Sequence, residues 1–172
     1  MIKLKDEKKH FETVPRAMDP LLKTLKQSLG ENLVSVVLYG SSARGQMGPE
    51  SDVDLLIVAE GLSPSSLERQ VFFTQILNEV EASLKETVKQ EDWVPYISAI
   101  LKTPKEAVHI SRIYFDMIEE AKILYDRRGF FKGVLRKVKA RLGELGAKRI
   151  QVGKMWYWDL KPDYRPGEIF EL

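Results

Sequence analysis

GSSARGQMGPESDVDLLIV, residues 40–58, is the stretch of sequence that decides the fold. It lies between two apolar runs, Leu33–Tyr39 before it and Leu55–Ala59 at its end. This pattern predicts a strand, a glycine-rich turn with a short helical piece, and a second strand. A turn of this kind exposes backbone N–H groups, so the stretch is suited to holding a phosphate.

Two aspartates at the end of the turn indicate a metal site. Asp52 and Asp54 are two residues apart, so on a strand their carboxylates project from the same face. Like charges so placed repel, unless one carboxyl is protonated or a cation lies between them. Magnesium commonly binds one or two carboxylates together with phosphate oxygens of a substrate, so the pair is predicted to hold magnesium.

The turn itself offers groups for an anion. Gly40 lets the backbone approach a ligand closely, and Ser41 and Ser42 bring hydroxyls and N–H donors to the start of the helical turn. Arg44 has two roles open to it, because it can contact phosphate or pair with a local carboxylate and hold the loop. The plain alternative for the whole stretch is a hairpin with two solvated aspartates.

The chain resembles the nucleotidyltransferase superfamily typified by DNA polymerase beta, and in particular its small members, the minimal nucleotidyltransferases. The resemblance rests on Gly40-Ser41, on Ala43-Arg44-Gly45, and on Ser51-Asp52-Val53-Asp54 followed by apolar residues, and it covers most of residues 33–131. The superficial likeness to a Walker A loop fails, because Gln46 stands where the phosphate-binding lysine belongs. The expected fold is α/β (α+β), a small mixed, twisted sheet flanked by helices.

The resemblance also implies an activity. A nucleoside triphosphate, with ATP favoured, would place its distal phosphates on Gly40, Ser41 and the following turn, and Ser51 belongs to the same motif. One or two magnesium ions would bind to Asp52 and Asp54. An acceptor hydroxyl would attack the α-phosphorus and pyrophosphate would leave, in a reaction that depends on positioning and charge neutralisation.

The third carboxylate of such sites is the point of departure from the pattern. Related enzymes carry it on the strand that here is predicted within residues 93–101, where this chain has Ser98 and has acids only before the strand, at Glu91 and Asp92. Two explanations stay open. Either an acid from elsewhere completes the site, with Asp92 the first candidate, or the site has two carboxylates and is weaker or serves binding alone.

Composition excludes several other classes of protein. The 172 residues suffice for one domain with a proper core, and 27 Lys+Arg against 25 Asp+Glu give a net charge of +2, too balanced for a general nucleic-acid or membrane binder. Without cysteine and with only His10 and His109, zinc sites and disulfides are not expected. No signal-peptide core or bilayer-length apolar run is present, so a cytoplasmic protein is expected.

Periodicity predicts the remaining elements. Helices are expected over residues 16–29, ended by Gly30, from an N-cap at Ser63 to about Val88, and from Thr103 through Ile118. The second of these is predicted to bury Leu67, Val71, Ile76, Leu77, Val80 and Leu84. A last strand is predicted over residues 121–126, followed by a basic helix over 131–146. His109 is expected on a helix surface.

The predicted organisation is a charged segment at residues 1–14, a nucleotidyltransferase core at 15–131, and a basic helix and aromatic tail at 132–172 packed on the core. The tail, with Trp156 and Trp158, is expected to pack on its own domain. It could alternatively anchor a partner subunit, of the same or a different chain, or stack on a base.

The acceptor is left open by the sequence. A protein or small-molecule hydroxyl is favoured over a polynucleotide, since 172 residues leave little room for template binding. Some minimal nucleotidyltransferases modify a paired toxin, so a toxin-like partner is one expectation. The alternatives are a catalytically weak or inactive nucleotide-binding or partner-binding module, and an antitoxin-like subunit that acts through its aromatic tail.

Overall fold

A mixed four-stranded sheet forms the centre of the molecule. The computed structural model describes residues 18–46, 52–87, 96–153 and 155–172. The strands, all rich in apolar and β-branched residues, are β1 (Leu33–Tyr39), β2 (Val53–Ala59), β3 (Ile97–Lys102) and β4 (Lys122–Asp126). Their order is β3-β2-β1-β4, with β2 and β3 parallel and the other two pairs antiparallel. The predicted mixed sheet is confirmed.

Helices cover both faces of this sheet. They are α1 (18–29), α2 (Gly40–Arg44), α3 (Ser66–Thr87), α4 (Pro104–Ala107), α5 (Ile113–Glu120) and α6 (Phe130–Glu144). Short 3-10 turns precede β1 at Gly30–Asn32 and α6 at Arg127–Gly129. None of the described helices combines the length and apolarity needed to cross a bilayer.

Strand alternation divides the core into two layers. Leu55 and Ile57 of β2 pack with residues of α1 and α3, whereas Leu56 and Val58 pack with residues of α5 and α6. Asp54 has the same parity as Leu56, so its side chain lies on the face that α5 and α6 cover. This places the predicted metal ligand between the sheet and α5.

The start of α3 differs from the prediction. The helix begins at Ser66, and the capping hydroxyl is that of Ser65, which accepts a hydrogen bond from the Glu68 N–H at 3.3 Å. The prediction of Ser63 as N-cap is therefore wrong. The Ser63 hydroxyl accepts from the Ser65 N–H instead and shapes the preceding turn.

The buried face of α3 is also rotated from the predicted one. Ile76 and Val80 are buried as expected, but Leu67 and Val71 are exposed. The reason lies in β3, whose backbone carbonyls accept hydrogen bonds from Arg69 and Gln70. These polar contacts turn the first part of α3 so that Leu67 and Val71 face away from the sheet.

The chain from Thr103 to Ile118 forms two helices, where one was predicted. Thr103 caps α4 as expected, with a reciprocal bond between its backbone N–H and the Glu106 carboxylate. α4 then packs on β2 and β3, whereas α5 packs on α6 and α2. One straight helix cannot follow both directions, so the helix is interrupted between Ala107 and Ile113. His109 lies in this segment and is exposed, as expected of a surface residue.

The aromatic tail contains a feature that periodicity did not reveal. After α6, strands β5 (Lys148–Val152) and β6 (Met155–Asp159) form a separate antiparallel hairpin. Trp158 packs against the core layer that contains α5 and α6. Trp158 therefore joins the hairpin to the core.

Candidate active site

The centre of the candidate site is a close approach between Gly40 and Asp54. Tyr39 and Asp54 are paired across β1 and β2, so Gly40 follows at the strand end beside the carboxylate. Gly40 has a φ of +71°, and a Cβ built there would collide with Asp54 Oδ2. A glycine is required at this position both for the backbone angle and for the space.

Ser98 holds the other oxygen of this carboxylate. Asp54 and Ser98 are register partners on β2 and β3, and the Ser98 hydroxyl donates to Asp54 Oδ1 at 3.0 Å. The Ser98 hydroxyl thus orients the Asp54 carboxylate through one oxygen, and the missing side chain of Gly40 leaves space for the other oxygen. The strand on which the sequence resemblance implies a third acid here carries a hydrogen-bond donor to Asp54.

The electrostatics of the strand end are visible at Tyr39. Burial, together with the negative charge of Asp54, raises the pKa of the Tyr39 hydroxyl to about 12. The phenol therefore stays neutral throughout the physiological range. Tyr39 contributes shape and apolar surface beside the carboxylate.

Asp52 occupies a different environment from Asp54. It is exposed and immediately precedes β2, which begins at Val53. Asp54 is half-buried within the strand. An exposed carboxylate next to an oriented one leaves room for a cation with ligands from water or substrate.

The predicted serines of the turn have separate surroundings. Ser41 is half-exposed near the start of α2, whereas Ser42 is buried and its hydroxyl donates to the Tyr39 carbonyl at 3.0 Å. Gly45, with a φ of 72°, ends α2. The Ser42 hydroxyl is thus committed to the turn itself, and Ser41 is the serine of the pair that faces outward.

Arg44 pairs with a carboxylate from a distant part of the chain. Its Nη1 donates to Glu120 Oε2 at 2.9 Å and its Nε donates to Gln46 Oε1 at 3.0 Å. The Arg149 guanidinium donates to the other oxygen of Glu120. Both guanidinium groups lie over the Trp156 ring, at 4.9 Å for Arg44 and 4.3 Å for Arg149. Of the two roles predicted for Arg44, the structure shows the carboxylate pair.

The hairpin is anchored to α5 by one further carboxylate. The indole N–H groups of Trp156 and Trp158 both donate to Asp116 Oδ1 at 3.0 Å. The Trp158 ring also packs edge-on against Phe115. Sequence reasoning missed this arrangement, although the spacing of two between the tryptophans is the signal of a strand with one aromatic face.

Two cavities meet at the Arg44–Glu120 pair. The first, of about 210 Å³, lies against Gly40 and is lined by Tyr39, Ile113 and Met117. The second, of about 640 Å³, extends under the hairpin. Arg44 and Glu120 line both cavities, so this ion pair lies between the hairpin and the turn that contains Gly40.

Asp126, at the end of β4, has a structural role. The Asp126 carboxylate accepts from the Ser35 hydroxyl at 2.7 Å and from the backbone N–H groups of Phe131 and Lys132, at 2.9 and 3.1 Å. It therefore caps the first turn of α6. Ser35 lies five residues before Gly40, about 16 Å along an extended strand, so Asp126 is remote from the candidate site.

The residues present fit a magnesium ion that takes its remaining ligands from a substrate. No group of three or more acids, histidines or cysteines that could hold a metal occurs in the described ranges. Asp54 Oδ2 faces Gly40, and Asp52 adds a second hard oxygen ligand near it in sequence. Two carboxylates completed by phosphate oxygens and water are a donor set typical of magnesium. Ser51 and Asp92, also predicted for this site, lie outside the described residues.

Comparison with known proteins agrees with this arrangement. The model of the family described as "Nucleotidyltransferase domain" matches residues 19–124. A protein of Methanocaldococcus jannaschii named "Putative protein adenylyltransferase MJ1305" is 30% identical over 141 residues, which cover 81% of this chain and 90% of the relative.

Two solved structures are similar to the chain at lower sequence identity. One is described as a toxin-antitoxin with AMP-PNP and has a TM-score of 0.46 and 14% sequence identity. The match covers 74% of this chain and 91% of the other chain. Another, the toxin-antitoxin MntA-HepT, has a TM-score of 0.44 and 11% identity over 76% of this chain and 91% of its own. Likeness at this level does not bear on activity or partner.

Proposed function

Because the chain belongs to the nucleotidyltransferase domain family, we propose that it transfers an adenylyl group from ATP to a hydroxyl of an acceptor protein. The observation that carries the proposal is the Asp54 carboxylate, oriented by Ser98 and placed against Gly40 at the phosphate-binding turn. The name of the relative, a protein adenylyltransferase, supports both ATP and a protein acceptor.

The turn binds the triphosphate in this proposal. The first N–H groups of a helix have no partner within the helix, so the backbone after Gly40 is available to phosphate oxygens. Ser41 adds an outward-facing hydroxyl. Gly40 has no side chain, and the phosphates can therefore approach both the backbone and Asp54 Oδ2.

Asp52 and Asp54 are the residues that would hold magnesium in this site. When bound, the metal supplies charge neutralisation at the transferred group and its leaving oxygens. Asp54 keeps its orientation through the Ser98 hydroxyl, so little rearrangement is needed when the triphosphate arrives. The acceptor hydroxyl would enter beside the turn, and pyrophosphate would leave from it.

Calorimetric titration of ATP with and without magnesium tests the binding step. We expect magnesium-dependent binding to the wild type and a loss of about tenfold or more in affinity for Asp54→Asn, since a metal contact is removed. Asp163→Asn is the matched control, because Asp163 is an exposed aspartate of the tail. Equal affinity of Asp54→Asn and wild type would refute the assignment of the site.

The transfer step is tested with two forms of radiolabelled ATP. Incubation of a cell extract and the protein with ATP labelled at the α-phosphate should label an acceptor, and ATP labelled at the γ-phosphate should not. Labelling from the γ-position alone would mean phosphoryl transfer. Treatment of the product with a nuclease and a protease distinguishes a protein acceptor from RNA.

A second candidate function is nucleotide binding without transfer. It is favoured by β3, the strand on which the sequence resemblance implies a third carboxylate and on which this chain has Ser98. This candidate gives the same calorimetric result but no label in any acceptor. The wild-type assay with α-labelled ATP separates the two, because an active enzyme labels its acceptor and a binding module does not.

A further inference from the structure

A groove of about 540 Å³ runs along α6 and the turn that precedes it. We call it the basic groove and define it by Ile118, Arg128, Lys132, Leu135, Arg136 and Lys139. None of these residues lines the two cavities that meet at Arg44 and Glu120. The basic groove is therefore a separate surface from the candidate active site.

Four unpaired cations line the basic groove. Arg128, Lys132, Arg136 and Lys139 are exposed, and within the described ranges none has an ion pair or a side-chain hydrogen bond. Three of them recur at spacings of four and three residues, so they share one face of α6. Such a concentration of positive charge is not explained by internal pairing.

The neighbouring arginines behave differently. Arg127, next to Arg128 in the chain, pairs with Glu60, and Arg141, near the end of the same helix, pairs with Glu144 at 3.0 Å. Arg127 and Arg141, which flank the groove residues in sequence, thus have acidic partners, whereas the four cations of the groove have none within the described ranges. The cations of the groove are left free for a partner from outside the chain.

The floor of the basic groove is apolar. Ile118 of α5 and Leu135 of α6 are half-buried and pack against the core layer beneath, so part of each side chain faces the groove. A surface with charged walls and an aliphatic floor complements a ligand with both carboxylates and aliphatic side chains. Phosphate alone would leave the floor uncovered.

Backbone geometry gives a second indication of function. Arg128, with a φ of +53°, is the one non-glycine residue in the left-handed region within the described ranges. That conformation is strained for an ordinary side chain, and glycine would avoid the strain. Strain of this kind is concentrated at functional positions, and here it presents a cation to the groove.

We propose that the basic groove binds an acidic amphipathic segment of a partner protein. Carboxylates of the segment would pair with the four cations, and its aliphatic side chains would cover Ile118 and Leu135. No aromatic side chain lines this groove within the described ranges, which disfavours stacked RNA bases. The inference does not rest on the nucleotide site, since the two surfaces share no residues.

Fluorescence anisotropy with a synthetic helical peptide tests the proposal. The peptide carries glutamate on one face and leucine on the other, and it is expected to bind the full chain with an affinity that falls as salt is raised. The double variant Lys132→Glu/Lys139→Glu should bind about tenfold more weakly or worse. Lys137→Glu is the matched control, because Lys137 is exposed on the same helix but does not line the groove.

Two further probes separate the groove from its alternatives. A peptide with serine in place of leucine should bind more weakly to the wild type, because it cannot cover the apolar floor. Equal binding of the two peptides, or equal effects of Lys137→Glu and the double variant, would overturn the proposal. Tighter binding of an oligouridylate, lost in the double variant, would make RNA the ligand instead.

Sedimentation of the chain alone tests whether it associates with itself through this surface. A monomer in both the wild type and the double variant agrees with a foreign partner. If the wild type were a dimer and Lys132→Glu/Lys139→Glu a monomer, the occupant would be a second copy of the chain, and the proposal would be wrong.

Discussion

Replacement of Gly40 by alanine tests the close approach between the phosphate-binding turn and Asp54. Gly40 has a φ of +71°, and its missing Cβ would collide with Asp54 Oδ2. Gly61 is a matched control, since its φ is +70° and a Cβ there would meet nothing within 4 Å. The two substitutions share the backbone cost, and only Gly40→Ala adds the steric one.

The structure sets the size of each effect. Placing alanine in the left-handed region costs about 1–2 kcal/mol at either position. At residue 40 the Asp54 side chain must also leave its rotamer, at about 1 kcal/mol, and weaken its hydrogen bond from Ser98, at about 1 kcal/mol more. We therefore expect Gly40→Ala to destabilise the protein by about 3–4 kcal/mol, about 2 kcal/mol more than Gly61→Ala.

Urea unfolding and nucleotide titration measure the two consequences. The free energy of unfolding should fall further for Gly40→Ala than for Gly61→Ala. Binding of magnesium and ATP should be lost only in Gly40→Ala, because only there is the Asp54 carboxylate displaced. In the Asp54→Gly background the steric part disappears, and the two alanine substitutions should then cost the same.

Equal destabilisation by the two substitutions in the wild-type background would refute this reasoning. It would mean that Asp54 does not lie against Gly40. Unchanged nucleotide binding by Gly40→Ala would separately refute the assignment of this turn to the phosphates. The stability result stands whether or not the chain binds ATP, so the two failures can be told apart.

Two further predictions concern carboxylates outside the site. Hydrogen bonds from the Arg69 guanidinium hold the pKa of Glu106 at about 2, below its ordinary value of 4.5, so the stability it adds is present above pH 4.5 and is lost as the pH falls towards 2. Glu106→Gln should therefore lower the free energy of unfolding by about 1 kcal/mol near pH 7, and the difference from wild type should vanish near pH 2 in urea titrations. Asp126→Ala should lower the free energy of unfolding by about 2–3 kcal/mol in the same assay, because it removes the α6 cap and leaves the buried Ser35 hydroxyl unpaired. The control Asp163→Ala, at an exposed position, should change it little. An equal effect of the two substitutions would contradict the capping role.

Much of the candidate site could be predicted from local pattern. An apolar run, a glycine-rich turn and a second apolar run specify strand, turn and strand, because each depends on neighbours in sequence. Ser98 was predicted to lie within a strand, and it lies on β3. A third acid from elsewhere in the chain stays a prediction. The roles of Asp52 and Asp54 as metal ligands remain a prediction.

Errors arose where distant contacts override local preference. Leu67 and Val71 have helical periodicity with Ile76, yet polar contacts from Arg69 and Gln70 to β3 turn them to solvent. The break between α4 and α5 has no glycine or proline to announce it, and it follows from the different surfaces on which the two helices pack.

The sequence by itself determined the fold class, the glycine-rich turn and the position of the two aspartates, because these depend on residues close together along the chain. Only the tertiary structure decided what surrounds them. Arg44 donates a hydrogen bond to Glu120, which is 76 positions further along the chain. Its guanidinium also lies over the ring of Trp156, which is further away still in sequence. Which distant residues meet depends on the packing of all the elements together, and no local pattern contains that information.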